Sequence, residues 1–114
     1  MSENPIASFG FPTVIVDNAT QIINCATGSL FTWTLTANRT SSTFMNPAGG
    51  QVMVMEVTQD ATGSRLVTWP ANVSWAAATP PTLTVTAGAV DMLRFTWSAT
   101  AGKWRGEVVG KAFA

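Results

Sequence analysis

Histidine does not occur in this chain, so the usual zinc ligand and the usual general base are both missing. Cysteine occurs once, at Cys25. That excludes an intrachain disulfide and leaves a thiol nucleophile without its customary partner. Charge is scarce: Asp, Glu, Lys and Arg make up 11% of the 114 residues, about half the share of an average soluble domain. The six basic residues, Arg39, Arg65, Arg94, Lys103, Arg105 and Lys111, are scattered and balanced by six acids. Without a basic stripe, no nucleic-acid partner is expected. No apolar run approaches the ~20 residues of a membrane span, so no membrane partner is expected. The start, Met1-Ser2-Glu3-Asn4-Pro5, lacks the basic and apolar regions of a secretory signal, which predicts a cytosolic product used without cleavage.

Helical periodicity is missing too. No stretch holds apolar residues at i, i+3, i+4, i+7 over about ten positions, and almost no helix is expected. Period two is present instead. Phe31, Trp33 and Leu35 alternate with Thr32, Thr34 and Thr36; Leu83 and Val85 with Thr82, Thr84 and Thr86; Leu93, Phe95 and Trp97 with Arg94 and Thr96. Apolar residues inward and threonine outward is the signature of a half-buried strand. Trp33 and Trp97 fall on inward positions. The segment Gln51–Val57 is apolar on both faces. It reads as a central strand covered by a loop or arm, or as one facing a second subunit.

Turn chemistry divides the strands. Asn46-Pro47-Ala48-Gly49-Gly50 precedes the Val52 strand, and Asp60-Ala61-Thr62-Gly63 has the Asp and Gly of a type I turn. The second turn predicts a hairpin between Val52–Thr58 and Arg65–Trp69. Pro70 closes that strand, Thr79-Pro80-Pro81 stiffens the next link, and turns at Ala87-Gly88-Ala89 and Ala99–Gly102 close two further hairpins. Strands are expected near 13–17, 20–24, 29–36, 41–45, 51–58, 64–69, 82–86 with 90–97, and 104–109. The expected fold is all-β: a single antiparallel β-sandwich or flattened barrel of about eight strands over residues 13–114. Residues 1–12 read as an extended N-terminal arm. Pro5, Gly10 and Pro12 argue against regular structure there, yet the arm carries Ile6, Phe9 and Phe11. It either packs back on its own domain or is pinned by a neighbour, and Ile6, Phe9, Phe11 and Pro12 are its candidate partner-binding residues.

Catalytic chemistry finds little footing. A glycosidase needs two carboxylates facing each other across a cleft, for example a pair such as Asp91 and Glu107; yet Asp60 belongs to a turn and Asp91 to a strand entry. Cys25, near Gly28 at a strand end, reads as a small apolar filler. No enzyme activity and no cofactor or metal site is expected. The five tryptophans are more informative. Trp69, Trp75 and Trp104 lie at strand ends or in irregular sequence, where indoles pack at the core rim, anchor a protein interface or stack on sugars.

An ordered series of short motifs follows: Asn38-Arg39-Thr40, Asn46-Pro47, Gly50-Gln51, Thr58–Gly63, Val67-Thr68-Trp69-Pro70, Pro80–Leu83, Ala87–Asp91 and Gly102-Lys103-Trp104. Over roughly residues 20–109 the series resembles a β-rich domain of tailed-bacteriophage virion proteins, found at the ends of tail-fibre and minor tail proteins. The resemblance implies a virion structural protein, made in the host cytoplasm. With no shaft or coiled coil in the sequence, size and architecture resemble those of capsid decoration (cement) proteins, which implies a homotrimer contacting the major capsid protein or other virion proteins. The competing reading is a tail or fibre module that binds a host surface receptor or glycan through some of Trp69, Trp75 and Trp104.

Overall fold

Nine strands form among the described residues, Leu30–Leu35 and Val90–Ser98 among them on stretches of period-two patterning. The computed structural model describes residues 12–113. In chain order the strands are β1 Thr13–Val14, β2 Thr20–Asn24, β3 Leu30–Leu35, β4 Arg39–Met45, β5 Val52–Gln59, β6 Val67–Thr68, β7 Val73–Trp75, β8 Val90–Ser98 and β9 Lys103–Phe113. The only helical pieces among the described residues are short 3-10 turns at Cys25–Thr27 and Ala76–Ala78. A six-stranded sheet runs β1-β3-β5-β8-β9-β7, and a three-stranded sheet runs β2-β4-β6.

From β1 to β6 the chain changes sheet at every turn. Each strand pairs in parallel with the one two positions earlier: β1 with β3, β2 with β4, β3 with β5, β4 with β6. The result is a coil of short strands. Antiparallel pairing, expected throughout, is confined to β5–β8 and β8–β9, and the large sheet is mixed.

The hairpin expected between Val52–Thr58 and Arg65–Trp69 is replaced by one of these sheet changes. The turn itself forms: Asp60 Oδ1 accepts from the amides of Thr62 and Gly63 at 3.1 and 2.9 Å. Beyond it, the side chain of Gln59 occupies the position a strand partner would take. Its Oε1 accepts from Arg65 N at 2.9 Å and its Nε2 donates to Arg65 O at 2.8 Å. The next residue is pulled to the other sheet, because Leu66 N donates to Asn38 Oδ1 at 2.9 Å and Arg39 N donates to Leu66 O.

Two further expectations change. Residues 82–86 form no strand, since side chains hold their backbone: Thr84 N donates to Asp91 Oδ2 and Thr84 O accepts from Gln59 Nε2. Conversely, β7 forms inside the stretch expected to be irregular, and it pairs in parallel with β9.

The two sheets contribute to one buried cluster. Ile23 and Phe44 come from the small sheet; Phe31, Trp33, Leu35, Met53, Met55, Val57, Leu93, Phe95 and Trp104 come from the large one. Each large apolar side chain buried this way contributes about 1.5–3 kcal/mol. The inward alternation of β3 and β8 agrees with the sequence pattern, except that Trp97 is half-buried and packs edge-on against Trp104 with ring centroids 5.5 Å apart. Strand β5 is central, between β3 and β8. Its Met53, Met55 and Val57 are buried, while Val54 and Glu56 on its other face are half-buried and Val52 is 46% exposed.

Candidate functional site

The chain crosses from the small sheet to the large one between β6 and β7, and both strands are the last in their sheets. Their outer edges therefore carry main-chain groups without a strand partner among the described residues. The link between them is tightly held. Val73 N donates to Pro70 O at 3.1 Å, and Trp104 N to Asn72 O at 2.9 Å. The Asn72 amide pairs with both backbone groups of Phe44: Nδ2 donates to the carbonyl at 2.9 Å and Oδ1 accepts from the amide at 3.4 Å. One side chain thus ties the start of β7 to β4.

This frame seats an aromatic cluster. Trp69 and Trp75 meet edge-on at 5.5 Å, and both pack against Phe95. Trp69 also meets the edge of Phe44 at 6.4 Å. Gly106 makes room for Trp75, since a Cβ on it would stand 2.6 Å from the indole. A strand glycine is often the mark of such a close approach. The ring of Trp69 is half-buried, and its Nε1 is screened from solvent with no acceptor among the described residues.

Beside the cluster lies a cleft of about 650 Å³, within the size of small-molecule sites. Trp69, Pro70, Ser74, Trp75, Pro80 and Lys103 are among its walls. Its lining holds no carboxylate. One wall leads into the 3-10 turn Ala76–Ala78, where Ala77 and Ala78 both have φ of +54°. Alanine in the left-handed region costs about 1–2 kcal/mol per residue, so this wall is held under strain.

Residues 13–102 match the family described as "Putative phage tail fibre C-terminal domain". The chain belongs to this tail-fibre domain family. No curated protein and no solved structure matches it. The match supports the tail-fibre side of the sequence resemblance and a place in the virion, and it lends no support to capsid decoration. The cleft of this tail-fibre domain is built mostly from matched residues, with Lys103 just beyond them.

The structure separates the three tryptophans singled out in the sequence. Trp69 and Trp75 come together at the cleft. Trp75 is only 9% exposed, so it supplies the floor rather than a free stacking face. Trp104 is 0% exposed and its Nε1 donates to Phe44 O at 3.3 Å; in the core it can touch no ligand. The alternation that buries it also buries Gly106 and turns Lys103, Arg105 and Glu107 outward. Of the arm residues, Pro12 is exposed, and Ile6, Phe9 and Phe11 lie outside the described residues. Sequence reasoning missed Ser74, Pro80 and Lys103 as site residues. The outward alternation of charge in β9 was the signal for Lys103; nothing local marks the other two.

Four of the acids, Asp17, Asp60, Asp91 and Glu107, have structural partners. Asp17 accepts from Trp33 Nε1, from the Thr36 amide and hydroxyl, and from the Arg39 guanidinium, whose two contacts are 2.9 Å long. Burial raises the Asp17 pKa, but the bonds from Arg39, Thr36 and Trp33 outweigh it and hold the carboxyl at about 2. Hydrogen bonds from Arg65 and the Gly63 amide lower that of Asp60. Asp91 is buried and accepts from Thr84 N and Ala112 N. Glu107 is exposed and paired with Arg94 at 2.7 Å. Asp91 and Glu107 thus occupy different settings and do not face each other across a cleft. Cys25 is 1% exposed, and burial pushes its thiol up to about 12.

Proposed function

We propose that this domain is a receptor-binding module of a phage tail fibre, and that it holds a host surface saccharide in the cleft between β6 and β7. The observation that carries the reading is the cleft itself: an aromatic corner of Trp69 and Trp75 beneath two open strand edges, in a chain of the tail-fibre family. Aromatic faces suit the apolar faces of sugar rings. Unpaired main-chain groups, with Ser74, offer hydrogen bonds to sugar hydroxyls. The rigid link through Asn72 keeps these groups in place before a ligand arrives, which lowers the ordering cost of binding.

The test is adsorption of the purified domain to host cells before and after mild periodate oxidation, which opens surface sugars, and after protease treatment. Binding lost to periodate and retained after protease supports a saccharide receptor. Binding lost to protease and retained after periodate contradicts it.

A further inference from the structure

Lys103 stands at a cleft whose own lining has no acid. The ion pairs among the described residues are Arg39–Asp17, Arg65–Asp60 and Arg94–Glu107. Lys103 and Arg105 have no carboxylate partner in that set. They are exposed, and two residues apart on β9, so their side chains leave the same face of the strand. Arg105 is held over β7 by a 3.2 Å bond from Nη1 to Ser74 Oγ. It lines a smaller hollow of about 230 Å³ that shares Ser74 and Trp75 with the cleft. Two cations thus flank one aromatic corner. Glu107 also lines the smaller hollow, but it is engaged by Arg94 at 2.7 Å, which leaves Lys103 and Arg105 as the cations without a carboxylate partner there.

Resting on the saccharide reading above, we propose that the ligand is an acidic saccharide, with its carboxylate or phosphate on Lys103 and its ring against Trp69. A charged donor bonding an anionic oxygen is roughly twice as strong as a neutral hydrogen bond. The absence of any carboxylate in the lining removes the repulsion that would otherwise oppose an anion. Carboxylate-bearing and phosphate-bearing sugars share this chemistry, and separate probes tell them apart.

The experiment is calorimetric titration of the domain with a galacturonic acid trisaccharide, a phosphorylated trisaccharide and the neutral galactose trisaccharide. At least one acidic probe is expected to bind about tenfold more tightly than the neutral one, the size of one charge-assisted hydrogen bond. Lys103→Gln should remove that preference, and rising salt should weaken the acidic probe alone. Lys103 is exposed, so the variant keeps its fold, which a thermal melt checks. Equal binding of acidic and neutral probes, no binding of either acidic probe, or an acidic preference that survives Lys103→Gln overturns the proposal. Cell adsorption separates this failure from that of the reading beneath it. Periodate-sensitive adsorption undiminished in Lys103→Gln overturns the acid and leaves the saccharide reading standing. No adsorption by the wild-type domain overturns both.

Discussion

The indole of Trp75 lies across the bare backbone of Gly106, its register partner on β9. The strand pair would accept a side chain at Gly106, but the ring would not: a Cβ would stand 2.6 Å from it. The floor of the cleft therefore depends on one missing methyl group. Gly106→Ala should push Trp75 outward and cost about 1–3 kcal/mol, the range for overpacking a filled core. Urea denaturation measures the loss, and a red-shifted tryptophan emission reports the displaced ring. Unchanged stability and emission would contradict the close contact.

Gln59 carries the change of sheet after β5. Its amide bonds Arg65 N, Arg65 O and Thr84 O. Gln59→Leu keeps the size and leaves those backbone groups without their partner, at about 1–3 kcal/mol for a buried unsatisfied group. Hydrogen exchange should speed up first at Arg65. Equal protection in wild type and variant would contradict this account.

These two positions show what the sequence made legible. Strand content, the inward faces of β3 and β8, the Asp60–Gly63 turn and the β8–β9 hairpin followed from period two and turn residues. Strand direction did not, because alternation specifies which face a side chain takes and says nothing of the neighbour's orientation. Here the neighbour is chosen by long-range bonds from Gln59, Asn38 and Asn72, none of which stands out locally. For the site, two of the three proposed tryptophans meet at the cleft. Trp104 misled because it stands second in its strand, where the surrounding pattern is too short to assign a face until Gly106 is read with it.

Acid should weaken the protein through Asp17. Its pKa in the folded state, about 2, lies below the ordinary value of 3.8 that it takes when unfolded. The lowered value means that the unfolded chain binds the proton first. The stabilisation is therefore fully present above about pH 4 and is lost as pH falls through about 2. The difference corresponds to about 2 kcal/mol. Chemical denaturation between pH 5 and pH 2 (roughly the linkage window of a carboxylate) should show the decline, and Asp17→Asn should flatten it. A variant that keeps the full slope would contradict the assignment.

Cys25 should be inert in the native protein. With the thiol held at about 12 by burial, a disulfide reagent at pH 8, near the ordinary thiol pKa of about 8.5, finds almost no thiolate. Labelling should appear only in denaturant. Rapid labelling of the folded protein would place Cys25 nearer the surface than described.

The central claim is that the cleft between β6 and β7 is the binding surface. Thr68 is exposed on β6 and lines it, so Thr68→Trp fills the space without touching the core. Leu30→Trp, on an exposed position of β3 away from the cleft, is the matched control. Adsorption of the labelled domain to host cells is the direct measurement. The account predicts at least a tenfold loss for Thr68→Trp and none for Leu30→Trp, with both variants folded by thermal melt. Full adsorption of folded Thr68→Trp would contradict it.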